Sequence, residues 1–481
     1  MELKRVLIGL EGLKAKGSLD IEINNLDSNS KNIKEGDMFV AIKGFSVDGH
    51  KYINDAIKNG ATKIIAEHGS YEVETLIVKD TKEYLINYLY DNYYNKIKKL
   101  KLIGVTGTNG KTTTCMLIHN MLNSLGKKCA YIGTNGFYID KFIKKLPNTT
   151  PEIIDIYDLL LEALDNNCEY VCLEASSHGL VQNRLANLKF DYAVFTNLTH
   201  EHLGYHKTME NYAKAKQILF TMLRNKKYAL INNDDKYKDY FINKENNNIL
   251  YGFNKGDYYI KEYHMTTNNS YFTLVHNNRK YNFTTKLLGK HNIYNSLVSI
   301  IILNKIGFSF KKIKEVLSNI NGPIGRMENI KCKDNTIIID YAHTPDGIES
   351  VLKTAKELKP NNIITVIGCG GGTGSDREKR SEMGSLVLSL SNKVIFTNDN
   401  PRDEDPNQII SDLLKNNSNN NYIIELDRKK AIKKGIKLLN NNDILLILGK
   451  GHEDYQIIGN NKTHFNDKET VLELLGDLKW F

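Results

Sequence analysis

Residues 101–114 read KLIGVTGTNGKTTT. The apolar positions Leu102, Ile103 and Val105 predict a buried strand, Gly107-Thr108-Asn109-Gly110 a tight turn, and Lys111-Thr112-Thr113 the first turn of an amphipathic helix reaching Gly126. A strand, a glycine-rich turn and a helix in that order form a phosphate cradle. Backbone N–H groups of the turn close on phosphate oxygens, and the helix N-terminus adds partial positive charge. Lys111 reaches the outer phosphates, and Thr112 or Thr113 supplies a hydroxyl to Mg²⁺. The general pattern places a further glycine five residues before Gly110, where this chain has Val105, so the loop is a short form. It points to ATP and leaves the reaction open.

Beyond the loop, strands are expected at 131–133, 170–173, 191–196 and 228–231, alternating with helical stretches as in a parallel α/β sheet. Two polar clusters fall at strand C-terminal ends, where such sheets bind ligands: Glu174-Ala-Ser-Ser-His178, and Asn197 through Glu201 and His202. A helical stretch at 210–223 carries Lys216. Residues 243–285 read as an Asn-rich, low-order insertion of exposed hairpin strands. A helix opens at Gly289-Lys290-His291-Asn292, and 322–328 forms an exit loop bearing Arg326. From about residue 330 strands and helices alternate again, as in a doubly wound domain. Upstream, residues 1–98 mix short strands with one helix at 52–60 and end in a Lys-rich hinge at 95–101.

The 481 residues suffice for about three domains. A hydrophobic content of 41% with 25% charged residues predicts a soluble, core-forming chain. No apolar run approaches the roughly 18 residues of a membrane span, and residues 1–12 lack a signal-peptide core, so a cytoplasmic protein is expected. Cys115, Cys129, Cys168, Cys172, Cys332 and Cys369 lie scattered, mostly in apolar runs, which argues for reduced core cysteines. The formal charge of +9 is spread over the chain with no basic stripe, which excludes a nucleic-acid binder and suits small anionic substrates.

The chain resembles the Mur ligase family of ATP-dependent amide-bond-forming enzymes. The motifs DSNS, FVAIKGFSVDGH, GTNGKTTT, NTTPE, EASSHGLVQNR, EHLGYHKTMENYAKAK, GKHNIYN, GRME, DYAHTPD, DNPRDEDP and GKGHEDYQ carry the resemblance over nearly the whole length. It implies an α/β fold of three domains: a smaller mixed N-terminal domain (1–98) for a UDP-muramoyl nucleotide, a central phosphate-loop parallel-sheet ATPase domain (99–329), and a C-terminal doubly wound Rossmann-like domain (330–481) for an amino acid. It also implies ATP and Mg²⁺, a monomer, no membrane insertion, and an acyl-phosphate intermediate attacked by an amine. The implied catalytic residues are Lys111, Glu174, His202 and Lys216. Thr112 and Glu174 would share one Mg²⁺, and His202 and Lys216, carbamylated by CO₂, would hold a second. His291, Asn292, Asn295, Arg326, Asp340 and His343 would complete the ATP site. Ser28, His50, Thr149, Thr150, Ser176, Ser177, Gln182 and Arg184 would contact the UDP-muramoyl dipeptide. The chain departs from the family's pattern at Asn29, where an arginine is usual, and at Gly204, where an aspartate is usual.

Within the family, the motifs resemble the branch that adds the third residue of the peptidoglycan stem peptide. Asp399-Asn400-Pro401-Arg402 resembles the members that add meso-diaminopimelate, with L-lysine or an analogue such as lanthionine as alternatives. Arg402 and Asn400 would bind the distal carboxylate and Glu453 the ammonium, with Asp399 and Gly449 beside them. Arg377 would hold the other carboxylate, or Arg380, because the loop around Asp376 differs in length from the family's. More remote readings are a folylpolyglutamate synthetase, which shares the phosphate loop, and a phosphate-loop switch protein.

Overall fold

The computed structural model describes residues 14–16, 25–44, 47–372 and 375–477, with the side chains of 14–16, 375 and 376 left aside. The expectation that residues 1–12 lack a signal-peptide core lies outside the described residues. The chain divides into two compact units. The first holds the described residues up to Leu100 together with Pro151–Asn166 and Asn183–Lys189; the second holds Lys101–Thr150, Asn167–Gln182 and the chain from Phe190 onward.

In the first unit five strands lie in the order Lys14–Lys16, Glu74–Ile77, Lys63–Ala66, Met38–Val40, Leu26–Asp27, parallel except at the first pair. The helix expected at 52–60 is Ile53–Lys58. A 17-residue helix, Thr81–Ile97, runs into the segment expected to be a hinge. Asp80 caps it, accepting from the backbone N–H of Lys82 and Glu83 at 2.8 and 2.9 Å. Its buried stripe is Tyr84, Leu85, Tyr88 and Leu89, and the two tyrosines weaken the apolar period on which a sequence reading depends.

The second unit contains an 11-stranded sheet. Its parallel centre sets Cys129–Gly133, Tyr170–Glu174, Lys101–Thr106, Phe190–Phe195 and Leu223–Asn232 side by side, so their C-terminal ends share one edge. The segment expected as an exposed, low-order insertion extends this sheet instead. Its strands are Asn247–Phe253, Tyr258–Met265, Ser270–His276 and Arg279–Thr285. Alternate side chains (Tyr258, Ile260; Phe272, Leu274; Phe283) enter one core with Ile293, Leu297, Ile300 and Ile301 of helix Lys290–Ile306. Each such burial contributes about 1.5–3 kcal/mol, which outweighs the polar asparagines in the turns.

A second sheet in this unit runs Glu328–Cys332, Asn335–Asp340, Ile444–Leu448, Ile363–Cys369, Lys393–Asn398, Tyr422–Ile424, with only the first strand antiparallel. Ile338 packs with helices Pro345–Glu357, Arg380–Leu390 and Pro406–Leu414. Its neighbours Ile337 and Ile339 join Arg428–Lys437 and Asp467–Asp477 in a separate core. Covered on both faces, this is the doubly wound sheet expected. All six cysteines are buried and free, and among the described residues no helix is long and apolar enough to cross a membrane.

Candidate functional site

The loop after strand Lys101–Thr106 turns at Gly107 (φ 148°) and Gly110 (φ 88°), backbone conformations that glycine adopts without strain. A Cβ on Gly107 would collide with Thr196 Oγ1, and one on Gly110 would lie 2.6 Å from Asn295 Oδ1. Gly110 then caps helix Lys111–Ser124. Lys111 folds back, donating from Nζ to the carbonyls of Gly107 and Thr108 at 2.9 and 2.8 Å. Thr108 donates its backbone N–H to Asn197 O, and Asn109 donates its own to Asn197 Oδ1.

Glu174 ends the neighbouring strand opposite Val105 and is fully buried. Thr112 Oγ1 donates to its Oε2 at 2.9 Å, Tyr131 OH to its Oε1 at 2.6 Å, and the N–H and hydroxyl of Thr134 to one oxygen each. The Glu174 carbonyl accepts from Thr150 Oγ1, which also reaches Ser176 Oγ. Thr149 Oγ1 lies 3.0 Å from Thr134 Oγ1, Ser177 Oγ 2.9 Å from His206 Nε2, and Gln182 follows the short helix Ser177–Val181. Thr149 is thus linked through Thr134 to the carboxylate beside the phosphate loop, Thr150 and Ser176 join the backbone carbonyl of the same residue, and Ser177 pairs with His206.

Lys216, on helix Met209–Thr221, is buried and donates to the Gly107 carbonyl at 2.8 Å, the oxygen that Lys111 also uses. Its ammonium sits over the Tyr212 ring at 4.3 Å. Burial, reinforced by the Lys111 charge, pushes its pKa well below the ordinary lysine value. Burial lowers Lys111 as well, against the attraction of Glu174 and Glu201. His202, in the left-handed region (φ 56°), places Nε2 3.7 Å from Glu201 Oε2 and its ring 5.0 Å from that of His178. Among the described residues no three His, Cys, Asp or Glu side chains converge as a metal site. Thr112 Oγ1 and Glu174 Oε2, two hard oxygens 2.9 Å apart beside the phosphate loop, nevertheless suit a divalent cation.

A cavity of about 510 Å³ joins the expected nucleotide residues. Asn109, Gly110 and Thr113 line one wall, His291, Asn292 and Asn295 another, and Arg326, Asp340 and His343 a third. Asn295 donates to Asn292 Oδ1 and accepts from Thr114 Oγ1, which locks the amides. Asp340 accepts the backbone N–H groups of Met327 and Ala342 at 2.7 and 2.8 Å; burial raises its pKa, against the Arg326 charge. His291 Nδ1 meets Ser350 Oγ at 2.9 Å, and burial pushes its pKa down to about 4, so the ring is neutral. Sequence reasoning missed Asn232, Asp234 and Asp235, which also line this cavity. A polar cluster at the end of strand Leu223–Asn232 was the available signal.

At the C-terminal edge of the second sheet, Asn400 Nδ2 donates to Glu453 Oε2 at 2.8 Å and Asn400 Oδ1 accepts from Ile457 N. Gly449 (φ 112°) leaves room for Asp399, whose Oδ2 would lie 2.6 Å from a Cβ there. Arg402 is exposed and donates to the Gly371 carbonyl. Glu404 is engaged by Arg380, which is 0% exposed and grips both its oxygens at 2.7 Å while also reaching Asp412. Arg377 is 51% exposed and pairs with Asp412. Lys450, absent from the expectations, is buried and lies 3.0 Å from Glu453 Oε2, 3.3 Å from Asn400 Oδ1 and 3.6 Å from Asp399 Oδ1.

In the first unit, Ser28 follows Asp27, whose carboxylate binds Asn29 N and Asn32 Nδ2. Both ring nitrogens of His50 have protein partners, Asp48 Oδ1 at 2.7 Å and the backbone N–H of Glu67 at 2.9 Å. Arg184 pairs with Glu152 at 2.7 Å.

Comparison with known proteins gives three matches to family models: the Mur ligase family catalytic domain at residues 22–93, the Mur ligase middle domain at 105–303, and the Mur ligase glutamate ligase domain at 325–451. The UDP-N-acetylmuramoyl-L-alanyl-D-glutamate--2,6-diaminopimelate ligase of Fusobacterium nucleatum is 42% identical over 94% of this chain and 94% of its own length. The enzyme of the same name from Clostridium tetani is 38% identical over 99% of this chain and 100% of its own. A solved structure of a ligase of that name superposes with a TM-score of 0.70 at 31% identity, covering 100% of this chain and 99% of that one. The chain belongs to the Mur ligase family.

Proposed function

We propose that this chain is a cytoplasmic, monomeric, ATP-dependent ligase that joins meso-diaminopimelate to UDP-N-acetylmuramoyl-L-alanyl-D-glutamate during peptidoglycan precursor synthesis. The γ-phosphoryl group of ATP passes to a carboxylate of the dipeptide and gives an acyl phosphate and ADP. The amine of the incoming amino acid attacks that carbonyl, loses a proton, and the tetrahedral intermediate expels phosphate to leave an amide.

Gly107, Thr108, Asn109, Gly110 and Thr113 bind the phosphates, with Lys111 on the outer ones and Arg326 from the facing wall. His291, Asn292, Asn295, Asp340 and His343 hold the rest of the nucleotide. Thr112 and Glu174 are the residues that would hold one Mg²⁺, and His202 with Lys216, once carbamylated, a second; bound there, the ions neutralise charge on the transferring group. Carbamylation needs the uncharged amine, which the burial of Lys216 favours. The hydroxyls of Thr149, Thr150, Ser176 and Ser177, with Gln182 and Arg184, orient the dipeptide, and Ser28 and His50 belong to the nucleotide-sugar end.

The observation that carries the choice of amino acid is the Asn400–Glu453 contact at 2.8 Å with Arg402 two residues along the chain. Carboxylate, amide and guanidinium suit a side chain that ends in both an ammonium and a carboxylate. Lysine offers only the ammonium and leaves the exposed Arg402 fork without a carboxylate partner, which lowers its kcat/KM relative to meso-diaminopimelate. The decisive experiment measures amino-acid-dependent phosphate release with ATP and the UDP-muramoyl dipeptide across meso-diaminopimelate, lanthionine and lysine. The expected order has meso-diaminopimelate first; a lysine kcat/KM at or above its value rejects the assignment. ATP hydrolysis indifferent to amino acid rejects the ligase reading altogether.

A further inference from the structure

Lys450 lies between two buried glycines, and its side chain is 0% exposed. Its ammonium has three oxygen neighbours, Glu453 Oε2 at 3.0 Å, Asn400 Oδ1 at 3.3 Å and Asp399 Oδ1 at 3.6 Å, and faces the Tyr455 ring at 5.5 Å. Asn400 therefore stands between two charged residues in one orientation. Its oxygen takes Lys450 and Ile457 N, and its amide nitrogen takes Glu453 Oε2. Glu453 is thereby divided. Oε2 carries both Asn400 and Lys450, while among the described residues Oε1 has only a long contact of 3.4 Å from Tyr455 OH and is the oxygen available to a ligand ammonium.

Two of the neighbouring charges are closed, Arg428 by Asp467 and Asp454 by Lys145. Around the Tyr455 ring stand the carboxylates Glu453 and Asp399 with the cations Lys450 and Arg402, and the exposed Lys462 lies over the same ring at 4.1 Å. Charges of both signs side by side match a ligand end that is itself a zwitterion. Removing Lys450 takes away the cation in direct contact with Glu453, weakens the site for an incoming carboxylate and favours an end bearing ammonium alone.

Resting on the proposed use of meso-diaminopimelate, we infer that Lys450 is a positioning and specificity-determining residue: it orients Asn400 and Glu453 and sets the charge that admits a zwitterionic side-chain end over a purely cationic one. Lys450 touches the ligand only through these two residues.

The test is steady-state kinetics of the full chain with saturating ATP and UDP-muramoyl dipeptide, varying meso-diaminopimelate and lysine in turn. Lys450→Met should lower kcat/KM for meso-diaminopimelate at least about tenfold, mainly through KM, and reduce its preference over lysine by a similar factor, with the KM for ATP held within about twofold. Lys450→Arg keeps the charge while altering the contacts, and should raise KM yet keep the preference within about threefold of wild type. An unchanged preference in Lys450→Met overturns the inference, and so does a loss of about tenfold or more of the preference in Lys450→Arg. The arginine variant decides the matter by itself if the methionine variant does not fold. Failure of the wild-type chain to use meso-diaminopimelate counts instead against the proposed substrate.

Discussion

Lys214 and Lys216 sit two positions apart on one helix, and only Lys214 reaches solvent. The resemblance of its segment to the family marks Lys216; its burial and its shared carbonyl with Lys111 show only once the helix is packed beside the phosphate loop. Lys216→Ala should lower phosphate release by about 10²–10³ or more, with partial recovery on adding acetate, which returns a carboxylate to the gap. Full activity without an added carboxylate contradicts carbamylation. Residue type was a weaker guide at the amino-acid end. Asn400, Arg402 and Glu453 are legible from their motifs, whereas Lys450 draws no role from the sequence, because nothing local announces that two strand ends converge on it. Arg380, named as an alternative to Arg377, is enclosed by Glu404 and Asp412.

Elements were easiest to read where a single period dominates. In the C-terminal sheet, largely apolar runs such as 337–339, 363–367 and Ile444–Leu448 fill the central parallel strands, which makes the alternation from about residue 330 legible. The strands between 247 and 285 were taken for exposed because asparagines crowd their turns, although alternate positions on three of them are aromatic or aliphatic and buried. Helix Thr81–Ile97 escaped for the opposite reason, since its buried face is half tyrosine. Packing between elements leaves no such trace. Gly384, in the middle of helix Arg380–Leu390, faces the Leu413 carbonyl of helix Pro406–Leu414 with no room for a Cβ. Propensity alone favours Gly384→Ala by up to about 1 kcal/mol. The collision with backbone reverses the sign, and the variant should be less stable by about 1–3 kcal/mol, read as a lower urea midpoint at unchanged slope.

For the molecule as a whole, four histidines set an acid limit. Burial lowers His119, His206 and His291 to about 4 and His452 to about 3, against 6.5 in an unfolded chain. Between those values the unfolded state binds the protons first, so stability is intact above pH 6.5 and falls as the pH drops toward 4. Urea titrations at pH 7.5, 6 and 5 should show the decline, on the order of a few kcal/mol in total, and a flat profile over that interval contradicts it. The pair Arg428–Asp467, with both side chains 0% exposed, acts over a longer stretch of chain. The guanidinium holds the carbonyls of Asn398 and Leu448, the strand ends that lead into Asp399-Asn400 and Gly449-Lys450. A buried arginine without its carboxylate costs about 3–5 kcal/mol. During synthesis the phosphate-loop strands can assemble early, but the Arg428 charge stays unmatched until Asp467 has left the ribosome. Asp340, which lines the nucleotide cavity, lies on the strand paired with Ile444–Leu448, so a nascent chain completes that wall and the Asn400–Lys450 cluster together, late, once its last helix emerges.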